Sequence, residues 1–229
     1  KNQIPDFCIV GEPTNLNKIG DNIKIGRRGS LSGKLIVFGK QGHVAYPHLA
    51  ENPFLNLIKM LKPLLKGTMD NGTKHFPSST ASITSIDTGN QADNVIPSKV
   101  ETKFNIRFND LHTKESLQNK ILKHFDSITN NYEIKFFSNA DPFITKPGFL
   151  TSNLKEAIFK ITQNHPDLST SGGTSDARFI SNYCPVIEFG LVGKTMHQVD
   201  ERVPTSDLKM LTNIYFEFLK KIFEINRFD

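Results

Sequence analysis

The chain has 229 residues, 37% hydrophobic and 22% charged. That is the balance of a soluble globular protein, long enough for one large or two small cores, and it excludes a disordered or fibrous chain. The formal charge of +5 comes from 28 Lys and Arg mixed with 23 acids. There is no basic run and no apolar run near the roughly 20 residues of a membrane helix, so neither a nucleic-acid nor a membrane partner is expected, while a site for an anionic small molecule fits.

The start, KNQIPDFCIVGEP, lacks the basic end, long apolar stretch and cleavage site of a signal peptide. It has no initiating Met and runs straight into FCIVG (residues 6–10), which reads as a buried strand feeding the loop GEPT. Part of the protein is therefore expected upstream. Cys8 and Cys184 are the two cysteines, far apart and beside apolar residues. They form no disulfide framework, and a cytoplasmic location is expected.

GDNIKIGRRGS (20–30) carries three glycines and a basic pair, and LSGKLIVFGK (31–40) alternates like a strand. Asn52-Pro53 starts a helix, with Asn as cap and Pro in the first turn. Phe54, Leu57, Ile58, Leu61 and Leu65 follow at helical spacing, and Pro63 limits the helix. TASITSI (80–86) is a strand, DTGNQADNVIPSK a polar loop, and VETKFNIRF (100–108) a strand with Val100, Thr102, Phe104, Ile106 and Phe108 on one face. Thr113 caps a helix whose stripe is Leu117, Ile121, Phe125 and Ile128, and YEIKFF (132–137) is another strand.

Residues 31 to 137 thus read β-α-β-β-α-β, the order of a ferredoxin-like unit. The flanking pieces carry a helix after Ser152, the strand PVIEFGLV and a last helix from near Ser206 that buries Leu208, Leu211, Tyr215, Phe218 and Ile222. They read as an α/β layer into which the unit is inserted.

Glu12 follows a buried strand, where open α/β sheets place ligand-binding groups. His197, in GKTMHQVDERV, follows another apolar strand and is a suitable zinc ligand, with Asp200 or Glu201 available to orient it. Two H-x-D spacings compete. His124 and Asp126 flank the buried Phe125 on a helix, about 100° to either side, and do not converge. His165 and Asp167 flank a proline in a polar loop. Both read as structural, leaving two ligands where a zinc site needs about three or four. In SGGTSDARF (171–179) two glycines let backbone N–H groups approach an anion, and Ser175 can cap a helix opening at Asp176. Arg178 reads either as a carboxylate binder or as a partner of Asp176.

VGEPT (10–14), GRRGS (26–30), GKQGHVAYPHLAENP (39–53), NVIP (94–97), FNIRF (104–108), TSGGTSDARF (170–179) and MHQVDERV (196–203) occur in this order. Together they resemble the succinyl-diaminopimelate desuccinylases, a branch of the co-catalytic zinc amidohydrolases that also include acetylornithine deacetylases, aminoacylases and carboxypeptidases. The resemblance implies an α/β catalytic domain holding two zinc ions (or cobalt). It places the catalytic pieces at 1–29 and 141–229 and an inserted ferredoxin-like dimerisation domain at 30–140. It implies hydrolysis of N-succinyl-LL-diaminopimelate, a small anionic substrate, by a homodimer formed through residues 30–140.

By motif, Glu12 and His197 each resemble a ligand of one zinc. His43 resembles the family histidine that reaches the other subunit's site and donates to the oxyanion formed on the scissile carbonyl. Tyr46 and Asn94 resemble cross-subunit substrate contacts, and Arg27, Arg107, Gly173 and Thr174 resemble binders of substrate carboxylates. His48 has no family role and reads as structural. The sequence departs from the family in lacking the upstream H-x-D histidine, the bridging aspartate and the Glu-Glu pair that holds the general base. Gly193-Lys194 also stand where relatives often have Asn-Ala. This chain alone is therefore expected to be inactive. The remaining alternatives are a deacylase acting on another acyl group and a non-catalytic dimerisation module.

Overall fold

The computed structural model describes residues 4–225. It divides into two compact units, one from residues 1–27 with 143–229 and one from 28–142, against the expected breaks at 29/30 and 140/141. In chain order the strands and helices open with β1 (Cys8–Val10), β2 (Asn22–Lys24), β3 (Gly26–Arg27), β4 (Gly29–Phe38), β5 (Gly42–His43) and α1 (Pro53–Leu61). β6 (Thr80–Asp87), β7 (Val95–Ile96), β8 (Lys99–Phe108), α2 (Lys114–Asp126) and β9 (Tyr132–Ala140) follow. The chain closes with β10 (Phe143–Ile144), α3 (Phe149–Thr162), β11 (Asp167–Ser169), α4 (Ala177–Ile180), β12 (Val186–Glu188) and α5 (Thr205–Ile225).

The inner unit is the ferredoxin-like element its order implies. Its sheet runs β6-β8-β4-β9, with every neighbouring pair antiparallel. Strict alternation in β8 sends Val100, Thr102, Phe104, Ile106 and Phe108 inward, all buried. They pack with Leu31, Leu35 and Val37 of β4 against Leu57, Met60 and Leu61 of α1 and Leu117, Ile121 and Phe125 of α2. Gly33 lies under the Phe104 ring, and a Cβ there would collide with it. Asn52 caps α1 by accepting from Phe54 N–H at 3.1 Å, and Thr113 and Ser116 form a reciprocal capping box on α2. Ile58 and Leu65, placed on the α1 stripe from spacing alone, are 62% and 63% exposed. The buried positions are Leu57, Met60, Leu61 and Leu64, because Pro63 ends the α-helix at Leu61 and a 3-10 turn, Leu64–Lys66, takes over.

The outer unit holds a four-stranded sheet of order β1-β12-β2-β11 and a small β10-β3 ribbon. Ile23, Ile187 and, partly, Ile9 and Leu168 point to one face and pack under α3 and α5 with Leu154, Ile158, Ile214, Phe218 and Ile222. The segment 22–27, assigned no element from sequence, forms β2 and β3. Two readings of this unit change. α3 opens at Phe149, not after Ser152, because Gly148 N–H is held by Thr151 Oγ1 at 2.9 Å one turn earlier. Leu208 is 45% exposed, because the buried stripe of α5 runs through Ile214, Phe218 and Ile222.

Candidate functional site

The loop after β1 is built around two buried polar residues. Asn15 Oδ1 accepts from the backbone of Gly20, Asp21 and Asn22 at 2.9–3.0 Å, and its amide donates to Gly190 O at 2.6 Å. Thr14 Oγ1 donates to Asn22 O and accepts from Gly190 N–H, both at 3.2 Å. Gly190 lies so near the carbonyls of Gly11 and Glu12 that a Cβ would strike them. Residues 12–15 and 190–193 are therefore clamped side by side, with Asn15 bridging Val192 and Gly193 N–H bonded to Asn15 O at 3.0 Å. Half-buried Glu12 and exposed His197 hang from these two segments. His197 has φ 62° and Asp200 φ 61°, and His197 N–H donates to Glu201 at 3.3 Å. Among the described residues no three His, Cys, Asp or Glu side chains gather closely enough to hold a metal ion.

Beside them the second face of the sheet is polar and buried. Arg27 Nε reaches Glu188 at 2.9 and 3.1 Å, its Nη2 makes a short contact to the same carboxylate, and Nη1 donates to Ser171 O at 3.1 Å. Ser175 Oγ donates to Glu188 as well. It is therefore occupied inside the site, and Asp176 is the N-cap of α4. Gly172 has φ +101°, and a Cβ there would meet Arg27 Nη1. Gly173 is exposed and Thr174 half-buried at the rim. Arg178 lies 4.5 Å over the Phe179 ring, with its Nε buried and unpaired. Lys24 is buried and donates to Ser169 Oγ at 2.6 Å and Ser171 Oγ at 2.9 Å. Burial, reinforced by Arg27, pulls its ammonium down to about 8. Lys24 and Glu188 were not picked out from sequence. The legible sign was a single carboxylate inside the apolar run PVIEFGLV.

In the inner unit, β5 pairs with β7 so that His43 opposes Val95, and Val44 N–H bonds to Asn94 O at 3.0 Å. His43 and Tyr46 are ring neighbours at 5.9 Å, and all three of His43, Tyr46 and Asn94 are exposed. His43 Nδ1 accepts the Ala45 N–H at 3.0 Å, so in the neutral ring the proton sits on Nε2, which points free as a donor. Arg107 lies on β8 between Ser30 and Thr80. It faces Arg28, whose charged form is disfavoured by burial and by Arg107.

The two H-x-D pairs do not form sites. His124 Nε2 meets Lys59 O at 3.3 Å, while Asp126 accepts from Tyr132 at 2.6 Å. His165 stacks on Phe159 at 4.6 Å, and Asp167 opens β11 rather than a turn. His48 sits in the 3-10 turn Pro47–Leu49, edge-on to Tyr46.

A family model described as a peptidase dimerisation domain matches residues 25–133. A succinyl-diaminopimelate desuccinylase of Pelagibacter ubique is 52% identical over 222 residues, covering 95% of this chain and 58% of that protein. One from Rhodopseudomonas palustris is 54% identical, with 95% and 57% covered. The chain therefore spans somewhat over half the length of these curated relatives. The fold is shared with aminopeptidase PepT from Bacillus cereus, at TM-score 0.78 and 18% identity over 95% of this chain and 57% of that one. It is also shared with an M20 family metallo-carboxypeptidase from Sulfolobus solfataricus, at TM-score 0.75 and 17% identity over 94% and 63%. Residues 25–133 thus match a peptidase dimerisation domain, and over 95% of its length the chain is similar in sequence to succinyl-diaminopimelate desuccinylases.

Proposed function

We propose that this chain is the larger part of a dizinc desuccinylase that hydrolyses N-succinyl-LL-diaminopimelate to succinate and LL-diaminopimelate. The observation that carries the reading is the His43 geometry, an exposed imidazole whose acceptor nitrogen is occupied by its own backbone, leaving Nε2–H to donate. A donor aimed at the oxygen that gains charge as water adds to the amide carbonyl stabilises the transition state more than the substrate. Tyr46 follows β5 and Asn94 precedes its partner strand β7, and both contact the same substrate.

The inner unit supplies the homodimer. Leu55 and Ile58 on α1, with Leu65 after it, are large exposed apolar side chains, and β6 is a sheet edge covered only at its start, by residues 67–69. Pairing there brings His43 of one subunit to the other's site. In the outer unit Arg27, Gly173 and Thr174 receive a substrate carboxylate; in the inner unit Arg107 is a carboxylate binder.

Glu12 and His197 would each hold one zinc, and the remaining ligands and the general base would come from outside these 229 residues. When bound, the metals supply an activated water and polarise the carbonyl. The test compares the 229-residue chain with a protein extended to the length of its relatives. The chain alone releases no succinate. The extended protein does, and His43→Gln lowers its kcat by about 100- to 1,000-fold. Zinc-dependent turnover by the 229-residue chain alone, or a preference of the extended protein for acetylornithine, contradicts the reading.

A further inference from the structure

Val10, Glu188, Lys24 and Ser169 form one cross-strand row, since Val10 pairs with Glu188, Glu188 with Lys24, and Lys24 with Ser169. Residues paired across a sheet point to the same face. Ile187 and Ile23, one position away, pack under the helices, so Glu188 and Lys24 point to the opposite face, toward the Ser171–Ser175 loop. That face buries an ammonium, a guanidinium and one carboxylate. Buried ions persist only where they are paired, and here two buried cations share one buried anion, with half-buried Asp21 adding the weakest pull on Lys24. The surplus positive charge lies beneath a loop whose Ser171, Gly172 and Gly173 are open to solvent.

The hydrogen bonds divide the labour. Glu188 holds the Arg27 fork and Ser175 at the end of the loop. Lys24 holds Ser169 and Ser171 at its start, and Arg27 itself grips Ser171 O. Arg27 has five N–H donors; Glu188 and Ser171 engage its Nε and one donor on each terminal nitrogen, so two remain for a ligand.

We propose that Lys24 and Glu188 are positioning residues for a carboxylate-receiving site formed by Arg27 and the 171–175 loop, Glu188 by orienting the guanidinium and Lys24 by fixing the loop's entry and supplying the unbalanced charge. This rests on the reading of Arg27 and Gly173–Thr174 as carboxylate binders. It adds that occupancy depends on the charge of Lys24. That ammonium titrates near 8, brought down by burial and by Arg27 against the opposing pull of Glu188 and Asp21. The site is therefore charged and receptive below pH 8 and loses its surplus charge above it.

Succinate is the probe, titrated into the 229-residue chain by NMR between pH 6.5 and 9.5. Wild type binds, and affinity falls with a midpoint near pH 8. Lys24→Met binds on the order of tenfold more weakly at pH 7 and has a flat profile, whereas Lys24→Arg restores affinity without the midpoint. Wild-type affinity and profile in Lys24→Met overturn the role. Loss of binding in Arg27→Met with none in Lys24→Met keeps the carboxylate reading and sinks this inference. If wild type takes no succinate, the carboxylate reading fails, and the Arg27 Nε–H resonance decides the positioning role. That resonance moves through pH 8 in wild type and shifts in Lys24→Met if Lys24 shapes the network. An unchanged resonance overturns it. Since Glu188→Gln also costs stability, the Lys24 variants carry the decision.

Discussion

Glu188→Gln keeps the side-chain volume and removes one charge from a buried carboxylate bonded to Arg27 and Ser175. Glu188 is 1% exposed and sits 2.9 Å from Arg27 Nε. At that distance and an effective dielectric of ~20, the lost attraction is about 6 kcal/mol. Relief of burying the carboxylate returns part of this, which leaves a net loss of about 3–5 kcal/mol, as for other buried pairs deprived of one partner. Two buried cations, Lys24 and Arg27, then face one another uncompensated, and Ser175 loses a charged acceptor. The assay is urea unfolding read by hydrogen exchange in β2 and β12, which separates this unit from residues 28–142. Adding Lys24→Met to Glu188→Gln removes one of the two cations and recovers at least ~1 kcal/mol of the loss. A loss under about 1 kcal/mol for Glu188→Gln alone, or no recovery in the double variant, refutes the account of a charge-coupled buried network.

Lys24 also links stability to pH. Its folded pKa of about 8 lies below the ordinary 10.5, so burying the charged form costs up to about 3 kcal/mol at about 1.4 per unit. That cost is fully present below pH 8 and is relieved as pH rises toward 10.5. Lys24→Met therefore gains most relative to wild type at pH 7, and the gain shrinks by pH 10 in thermal melts; a constant difference contradicts this. In the inner unit, burial would raise the Asp70 carboxyl. Hydrogen bonds from Ser79, Gly72 and Asn109 outweigh it and hold the carboxyl well below its usual range. Its stabilisation is thus present above about pH 4 and lost as pH falls below that. Asp70→Asn costs about 2 kcal/mol at pH 7, and a variant that matches wild type in the acid melt of this unit removes the carboxylate from the account. Gly33→Ala drives a Cβ into the Phe104 ring, and a loss of about 1–3 kcal/mol in urea is expected; no loss means the ring moves freely.

The inner unit was legible because its sequence signals agree. β8 alternates over ten residues, and Asn52-Pro53 and Thr113 mark helix starts that the structure caps as written. The outer unit was less legible because its strands are short and their second face is polar. In DNIKIG the alternation of Ile23 and Ile25 was present, but Asn22 and Lys24, the positions that alternate with them, are buried polar residues, so no half-buried strand stood out. β11 was hidden by Pro166-Asp167, a turn signature overridden by parallel pairing with β2. The same polarity explains the missed site residues. Lys24 and Glu188 matter because they meet across strands that are 164 positions apart, and no local pattern encodes that meeting. Arg27 was noticed by motif, but its commitment to Glu188 and Ser171 emerges only in three dimensions.

The most direct test of the central claim is a succinate-release assay on N-succinyl-LL-diaminopimelate. It uses the protein extended to the length of its curated relatives, loaded with zinc, beside its His43→Gln and Glu12→Gln variants. The account predicts turnover in the extended protein, a kcat loss of about 100-fold or more in His43→Gln with stoichiometric zinc retained, and loss of zinc in Glu12→Gln. Full activity of His43→Gln, or no succinate released by the zinc-loaded protein, contradicts it.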